Sequence, residues 1–138
     1  MKPIHILVAE DNYADVILFQ EALRQHQIEH RLHVVTDGQS ALQFVAQMGT
    51  SPEMPCPDLM LLDLNLPKVD GPTILRAFRK HPECAHTPVI VVTSSDAERD
   101  RNIVAEFHAT RYFRKPSDFD AFMELGQLIR EVVDRQID

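Results

Sequence analysis

The chain predicts an α/β fold, a doubly wound five-stranded parallel sheet with helices on both faces. Short apolar runs and amphipathic stretches alternate five times along 138 residues, with short connections, which is the signature of successive βα units. The apolar runs, such as Leu59-Met60-Leu61-Leu62 and Val89-Ile90-Val91-Val92, are continuous rather than alternating, as strands buried on both faces require. The length suits one domain with a sizeable core, and no linker, repeat or low-complexity tract divides residues 1–138.

Ile4 to Ala9 is rich in branched residues and reads as the first strand, ending on Glu10-Asp11. Asn12 can cap a helix there, with Asp15 near its positive end. That helix runs to about His26 and buries Val16, Phe19 and Leu23 at helical spacing. Leu32 to Val35 is a second strand, stopped by Asp37-Gly38, and Ala41 to Met48 is a second helix. A loop rich in Pro, Ser and Gly, from Gly49 to Pro57, leads into the third strand, which ends on Asp63. After Asp70-Gly71, Pro72 suits the first turn of a helix carrying Ile74, Leu75 and Phe78, and Pro82 closes it. Val89 to Val92 is the fourth strand, ending on Thr93-Ser94-Ser95-Asp96. Ala97 to His108 is helical, Arg111 to Arg114 is a short fifth strand ending on Lys115-Pro116, and a last helix starts near Asp118.

A net charge of −7 with no Lys/Arg-rich run argues against nucleic acid, whose phosphates demand a basic footprint. No apolar stretch approaches the roughly 20 residues that span a membrane, and no signal-peptide core is present at the N-terminus. Cys56 and Cys84 lie in polar, proline-flanked segments without metal-ligand spacing. Two such residues read as free thiols of a reducing cytosol rather than a disulfide framework, so a cytoplasmic protein is expected.

In a parallel sheet all strands point one way, so the residues just past each strand meet along one edge, where open α/β sheets bind ligands. The first strand delivers Glu10 and Asp11, the third Asp63, the fourth Thr93 and the fifth Lys115. Three carboxylates so close repel and need a cation, and an all-oxygen set suits Mg²⁺. A phosphoryl group would bridge the metal, Lys115 and Thr93, and Asp63 can be a nucleophile because carboxylates form aspartyl-phosphates.

These residues resemble a CheY-like response-regulator receiver domain over essentially the full chain. The resemblance is carried by Glu10-Asp11, Leu61-Leu62-Asp63-Leu64-Asn65-Leu66-Pro67, Asp70-Gly71, Val91-Val92-Thr93-Ser94 and Tyr112-Phe113-Arg114-Lys115-Pro116, in order and at strand ends or turns. It implies a flavodoxin-like strand order 2-1-3-4-5 and phosphorylation of Asp63 by a phosphohistidine of a sensor histidine kinase. It implies that Asp11 and Asp63 bind Mg²⁺ directly, Glu10 through water and Asn65 through its backbone carbonyl. Thr93 and Lys115 would hold the phosphoryl oxygens, Tyr112 would be the aromatic switch responding to Thr93, and the side chains of Asn65 and Ser95 would tune hydrolysis. The Lys115–Pro116 peptide bond is usually cis in this family. Within it, Asp63 to Lys68 and Val92 to Ser95 are most similar to response regulators of bacterial and cyanobacterial phytochromes, making a phytochrome the candidate kinase. The loop from Gly49 to Pro57 is longer than usual, and His108-Ala109 replaces a common Gly-Ala. With no output domain after the last helix, a stand-alone receiver is expected. It would signal by binding a downstream protein and be no enzyme beyond slow loss of its own phosphoryl group.

Other readings are weaker. His26, His30 and His33 could suggest a transition-metal site, but no carboxylate motif supports them and they read as surface and cap residues. Asp63-Leu64-Asn65 resembles the nucleophile motif of haloacid-dehalogenase-type phosphatases, which carries a second acid where Asn65 stands. A pseudo-receiver scaffold would lack an acid, the Thr or the Lys, and none is missing. Finally, the apolar positions of the last helix span about twice the roughly 100° stripe that one buried face needs. Leu125, Leu128 and Val132 lie at one margin, which predicts an exposed strip buried in a homodimer.

Overall fold

The computed structural model describes residues 3–50, 52, 56–94, 98–106 and 109–137. Five strands and five helices alternate: β1 (Ile4–Ala9), α1 (Tyr13–Gln25), β2 (His30–Val35), α2 (Gly38–Gln47), β3 (Leu59–Leu62), α3 (Gly71–Lys80), β4 (Val89–Thr93), α4 (Glu98–Glu106), β5 (Arg111–Arg114) and α5 (Phe119–Ile137). The strands form one parallel sheet in the order β2-β1-β3-β4-β5. Reversal of strand order between β1 and β3 opens a crevice at their carboxyl ends, where Ala9 pairs with Leu62.

Alternate residues of the apolar strands feed two cores. Leu7, Ala9, Met60, Leu62, Val89 and Val91 face Ala41 and Val45 of α2 and Ile74, Leu75 and Phe78 of α3. Ile6, Val8, Leu59, Leu61, Ile90 and Val92 face Val16, Phe19 and Leu23 of α1 and Phe122, Leu125 and Ile129 of α5. Burial on both faces is why β3 and β4 are apolar at every position from Leu59 to Leu62 and from Val89 to Val92.

Several expected boundaries shift. α2 begins at Gly38 rather than Ala41, because the Asp37 side chain accepts a hydrogen bond from the Ser40 N–H at 2.7 Å and caps the helix. β2 begins at His30 rather than Leu32, since the register with β1 continues back to the Ile4–His30 pair. The expected ends of the fourth helix at Ala97 and His108 lie outside the described residues.

Three expectations are corrected. Leu125 and Val132 are buried and Leu128 is half-buried, all three within the chain's own second core, so they form no exposed strip for a second copy. The apolar arc of α5 is wide because the helix packs against two surfaces, the sheet beneath it and α1 beside it. Gly126 marks that second contact, since a Cβ there would lie 2.5 Å from the Ala22 carbonyl oxygen. Cys56 and Cys84 are joined in a disulfide with their Cα atoms 5.9 Å apart, so the free-thiol argument for a cytosolic chain does not hold. Their separation of 28 residues hid a proximity made by the loops before β3 and β4. The Lys115–Pro116 bond is trans, and there is no cis peptide bond among the described residues. Trans is the intrinsically preferred isomer by about 0.5–1 kcal/mol.

Candidate phosphoryl-acceptor site

Each carboxyl end along the middle of the sheet brings its polar residue to the crevice. β1 is followed by Glu10, which is 1% exposed, and the exposed Asp11 comes next. The turn into α1 is fixed by Asn12. Its side chain accepts from the Ala14 N–H at 3.0 Å, and its own N–H donates to Glu10 Oε2 at 3.1 Å. Asp63 continues β3 through its N–H, which donates to the Ala9 carbonyl at 3.0 Å, and the residue is 7% exposed. Gly71 closes the following loop by donating to the Leu64 carbonyl at 3.1 Å. A Cβ on Gly71 would lie 2.5 Å from Leu64 Cα, so only glycine permits this approach.

Asn65 links the acid to the hydroxyl. Its N–H donates to Asp63 Oδ1 at 2.9 Å, and its side-chain amide donates to Thr93 Oγ1 at 3.4 Å. Thr93 is fully buried, and its carbonyl accepts from the Lys115 N–H at 2.8 Å, which holds the end of β5 in place. From there the Lys115 ammonium reaches Glu10 at 2.5 Å, Asp15 at 2.8 Å and Asp63 at 3.0 Å. Glu10, Asp11, Asp63, Thr93, Asn65 and Lys115, all named from the sequence, therefore meet. Ser95 lies outside the described residues.

Electrostatics are set by burial. Desolvation pushes the Glu10 carboxyl up to about 7; its bond to Lys115 opposes this, and the Asp63 charge adds to it. Burial alone would lower Lys115, but bonds to Asp15 and Glu10 and the charges of Asp63 and Glu10 outweigh it and raise the ammonium above its ordinary value. Oxygens of Glu10, Asp11 and Asp63 lie within 4.8 Å of one another. All three are hard carboxylate donors, and the exposure of Asp11 leaves room for water, so the residues fit Mg²⁺.

The histidines hold no metal cluster among the described residues. The His26 ring pairs with the Met123 carbonyl at 3.1 Å, and that of His30 with the Ile28 carbonyl at 2.8 Å. The His33 ring lies 3.0 Å from that of His5. Sequence reasoning assigned Asp15 only to the helix start and missed its bond to Lys115, 100 residues away. The available signal was a carboxylate in the first turn of the helix that follows the Glu10-Asp11 pair, beside the edge to which the fifth strand delivers Lys115.

Fold and site describe a flavodoxin-like domain with a buried carboxylate between a divalent-cation site and an ammonium. The model of the response regulator receiver domain matches residues 6–126, so the chain belongs to that family of two-component signalling domains. Response regulator Rcp1 of Synechocystis sp. is 38% identical over 91% of this chain and 85% of its own length. Two solved structures superpose closely. The phosphorylated cyanobacterial phytochrome response regulator RcpA has a TM-score of 0.83 and 34% identity, covering 94% of this chain and 93% of its own. The Mn²⁺-bound form of Rcp1 has a TM-score of 0.82 and 37% identity, with coverage of 94% and 93%.

Proposed function

We propose that Asp63 is the phosphoryl acceptor of this receiver and that its donor is a phosphohistidine on a sensor histidine kinase. The observation that carries the reading is the nearly buried Asp63 carboxylate, bonded to Lys115 at 3.0 Å beside the Glu10–Asp11 pair. An Asp63 oxygen attacks phosphorus, the P–N bond breaks, and the electron pair returns to the imidazole. Lys115 takes one oxygen of the transferred group, and the Thr93 hydroxyl exchanges its Asn65 partner for another. Asp11 and Asp63 would hold Mg²⁺ directly, Glu10 through water and Asn65 through its carbonyl. The ion supplies charge neutralisation for the transferring group.

Exposed Tyr13 and Phe119 are the first residues of α1 and α5, the helices that follow the site residues of β1 and β5, and are the apolar surface assigned to the kinase. A phytochrome-type kinase is the proposed donor, supported by the similarity to RcpA and by 33% identity to the bacteriophytochrome response regulator RtBRR. The readout to a downstream protein runs through Thr93 and Tyr112, and the place of action is the cytoplasm, where such kinases expose their phosphohistidine. No described helix is long and apolar enough to cross a membrane.

Incubation with acetyl phosphate and Mg²⁺ tests the acceptor by intact mass. One phosphoryl group is expected on the wild type and none on Asp63→Asn; undiminished labelling of the variant removes Asp63 from the role. Transfer from a phytochrome kinase faster than from an unrelated kinase supports the pathway, and equal rates refute it.

A further inference from the structure

We propose that Asp15 is a positioning residue for Lys115, the carboxylate that keeps its ammonium at the site while Glu10 and Asp63 turn to the cation. The inference rests on the phosphoryl-acceptor reading above for its purpose, though not for its geometry. An ammonium has three protons, and here three carboxylates surround it: Glu10 at 2.5 Å, Asp15 at 2.8 Å and Asp63 at 3.0 Å. Two of the three, Glu10 and Asp63, also belong to the set whose oxygens lie within 4.8 Å of one another and of Asp11. Asp15 does not. A cation entering that set competes with Lys115 for Glu10 and Asp63, and each bond that Lys115 gives up must be replaced or the ammonium stays on the metal's ligands.

Asp15 offers the replacement from outside the set. It sits in the first turn of α1, and that turn is pinned by the Asn12 cap, whose side chain accepts from the Asp15 N–H at 3.4 Å. Its side chain is 18% exposed, so the bond to Lys115 is partly shielded from water and salt. With Asp15 in place, Lys115 can loosen its hold on Glu10 and Asp63 and remain within reach of a phosphoryl oxygen. Without it, Lys115 falls back on the two carboxylates the metal needs.

A second route from Asp15 to the metal must be separated from this one, because removing any nearby negative charge weakens cation binding. A double-mutant cycle does so. Mg²⁺ affinity is measured by titration calorimetry on wild type, Asp15→Asn, Lys115→Met and the double variant, with Lys115→Gln replacing Lys115→Met if the latter does not fold. If Asp15 acts through Lys115, Asp15→Asn weakens Mg²⁺ by a factor about threefold or more larger when Lys115 is present than when it is absent, within the coupling of one ion-pair network. A loss equal or greater in the Lys115 variants means a through-space charge and overturns the proposal. So does a wild type that binds no Mg²⁺. A wild type that binds Mg²⁺ with this coupling, yet takes no phosphoryl group on Asp63, retains the positioning role and removes the acceptor reading.

Discussion

The guanidinium of Arg101 lies 4.7 Å from the centre of the Tyr112 ring, joining α4 to β5 across the outer end of the sheet. Tyr112 is half-buried and packs against the core beneath α2 and α3, while Lys115, just past the end of its strand, holds the site. The ring thus touches both the interior and an exposed helix, and a shift of either is felt by the other.

Thr93 is the proposed input to that ring. A hydroxyl drawn from Asn65 to a phosphoryl oxygen vacates space beside β5, and an element with two arrangements can then be biased. Thr93→Ala should still take a phosphoryl group on Asp63. Phosphorylation should change wild-type affinity for the kinase by about 5–150-fold, the range of ordinary allosteric coupling, and the variant's by a factor near one. Surface-binding measurements on both forms decide it; an undiminished response in Thr93→Ala means the coupling runs elsewhere.

The burial of α5 makes a different demand. Val132 is 3% exposed, so Val132→Glu should bury an unpaired carboxylate and cost more than about 3 kcal/mol rather than dissociate a dimer. Leu125→Ala should cost about 2–5 kcal/mol through the cavity it leaves. Gly126→Ala presses a methyl group against the Ala22 carbonyl and the His26 ring and should cost about 1–3 kcal/mol. Urea unfolding measures all three, and a stable, monomeric Val132→Glu would restore the surface-strip reading.

Lys68 adopts φ +74° in the loop after Asp63, a left-handed conformation in which a branchless but bulky side chain crowds its own backbone. Lys68→Asn should stabilise the protein by about 0.5–1 kcal/mol. The lost ion pair with Asp37, at 3.4 Å from a lysine 59% exposed, offsets little of it. A lowered urea midpoint would show that the lysine contributes something the backbone argument omits.

His33 should make stability depend on pH. Burial first, and the charge of His5 second, hold its ring below the ordinary 6.5. The unfolded chain therefore binds the proton more readily than the folded one, so this contribution is fully present above about pH 6.5 and is lost as pH falls toward the folded value. Glu10, pushed up to about 7, contributes the opposite slope in the same range, so the test is the difference: relative to about pH 7.5, His33→Gln should be more stable at about pH 5.5 than wild type is. Parallel slopes in the two proteins would assign the dependence to other groups.

The sequence by itself determined the element order, the parallel sheet and the identity of the residues at its carboxyl edge. Apolar runs such as Leu59–Leu62 and Val89–Val92 report burial on both faces, and a parallel sheet sends every strand-end residue to one side. Glu10, Asp11, Asp63, Thr93 and Lys115 were legible for that reason. Only the tertiary structure decided what depends on distances between elements far apart in the chain. It joined Cys56 to Cys84, and it set Asp15 against Lys115. It also turned Leu125 and Val132 inward, because helical periodicity records how wide an apolar face is but not whether the neighbour covering it is α1 or a second chain.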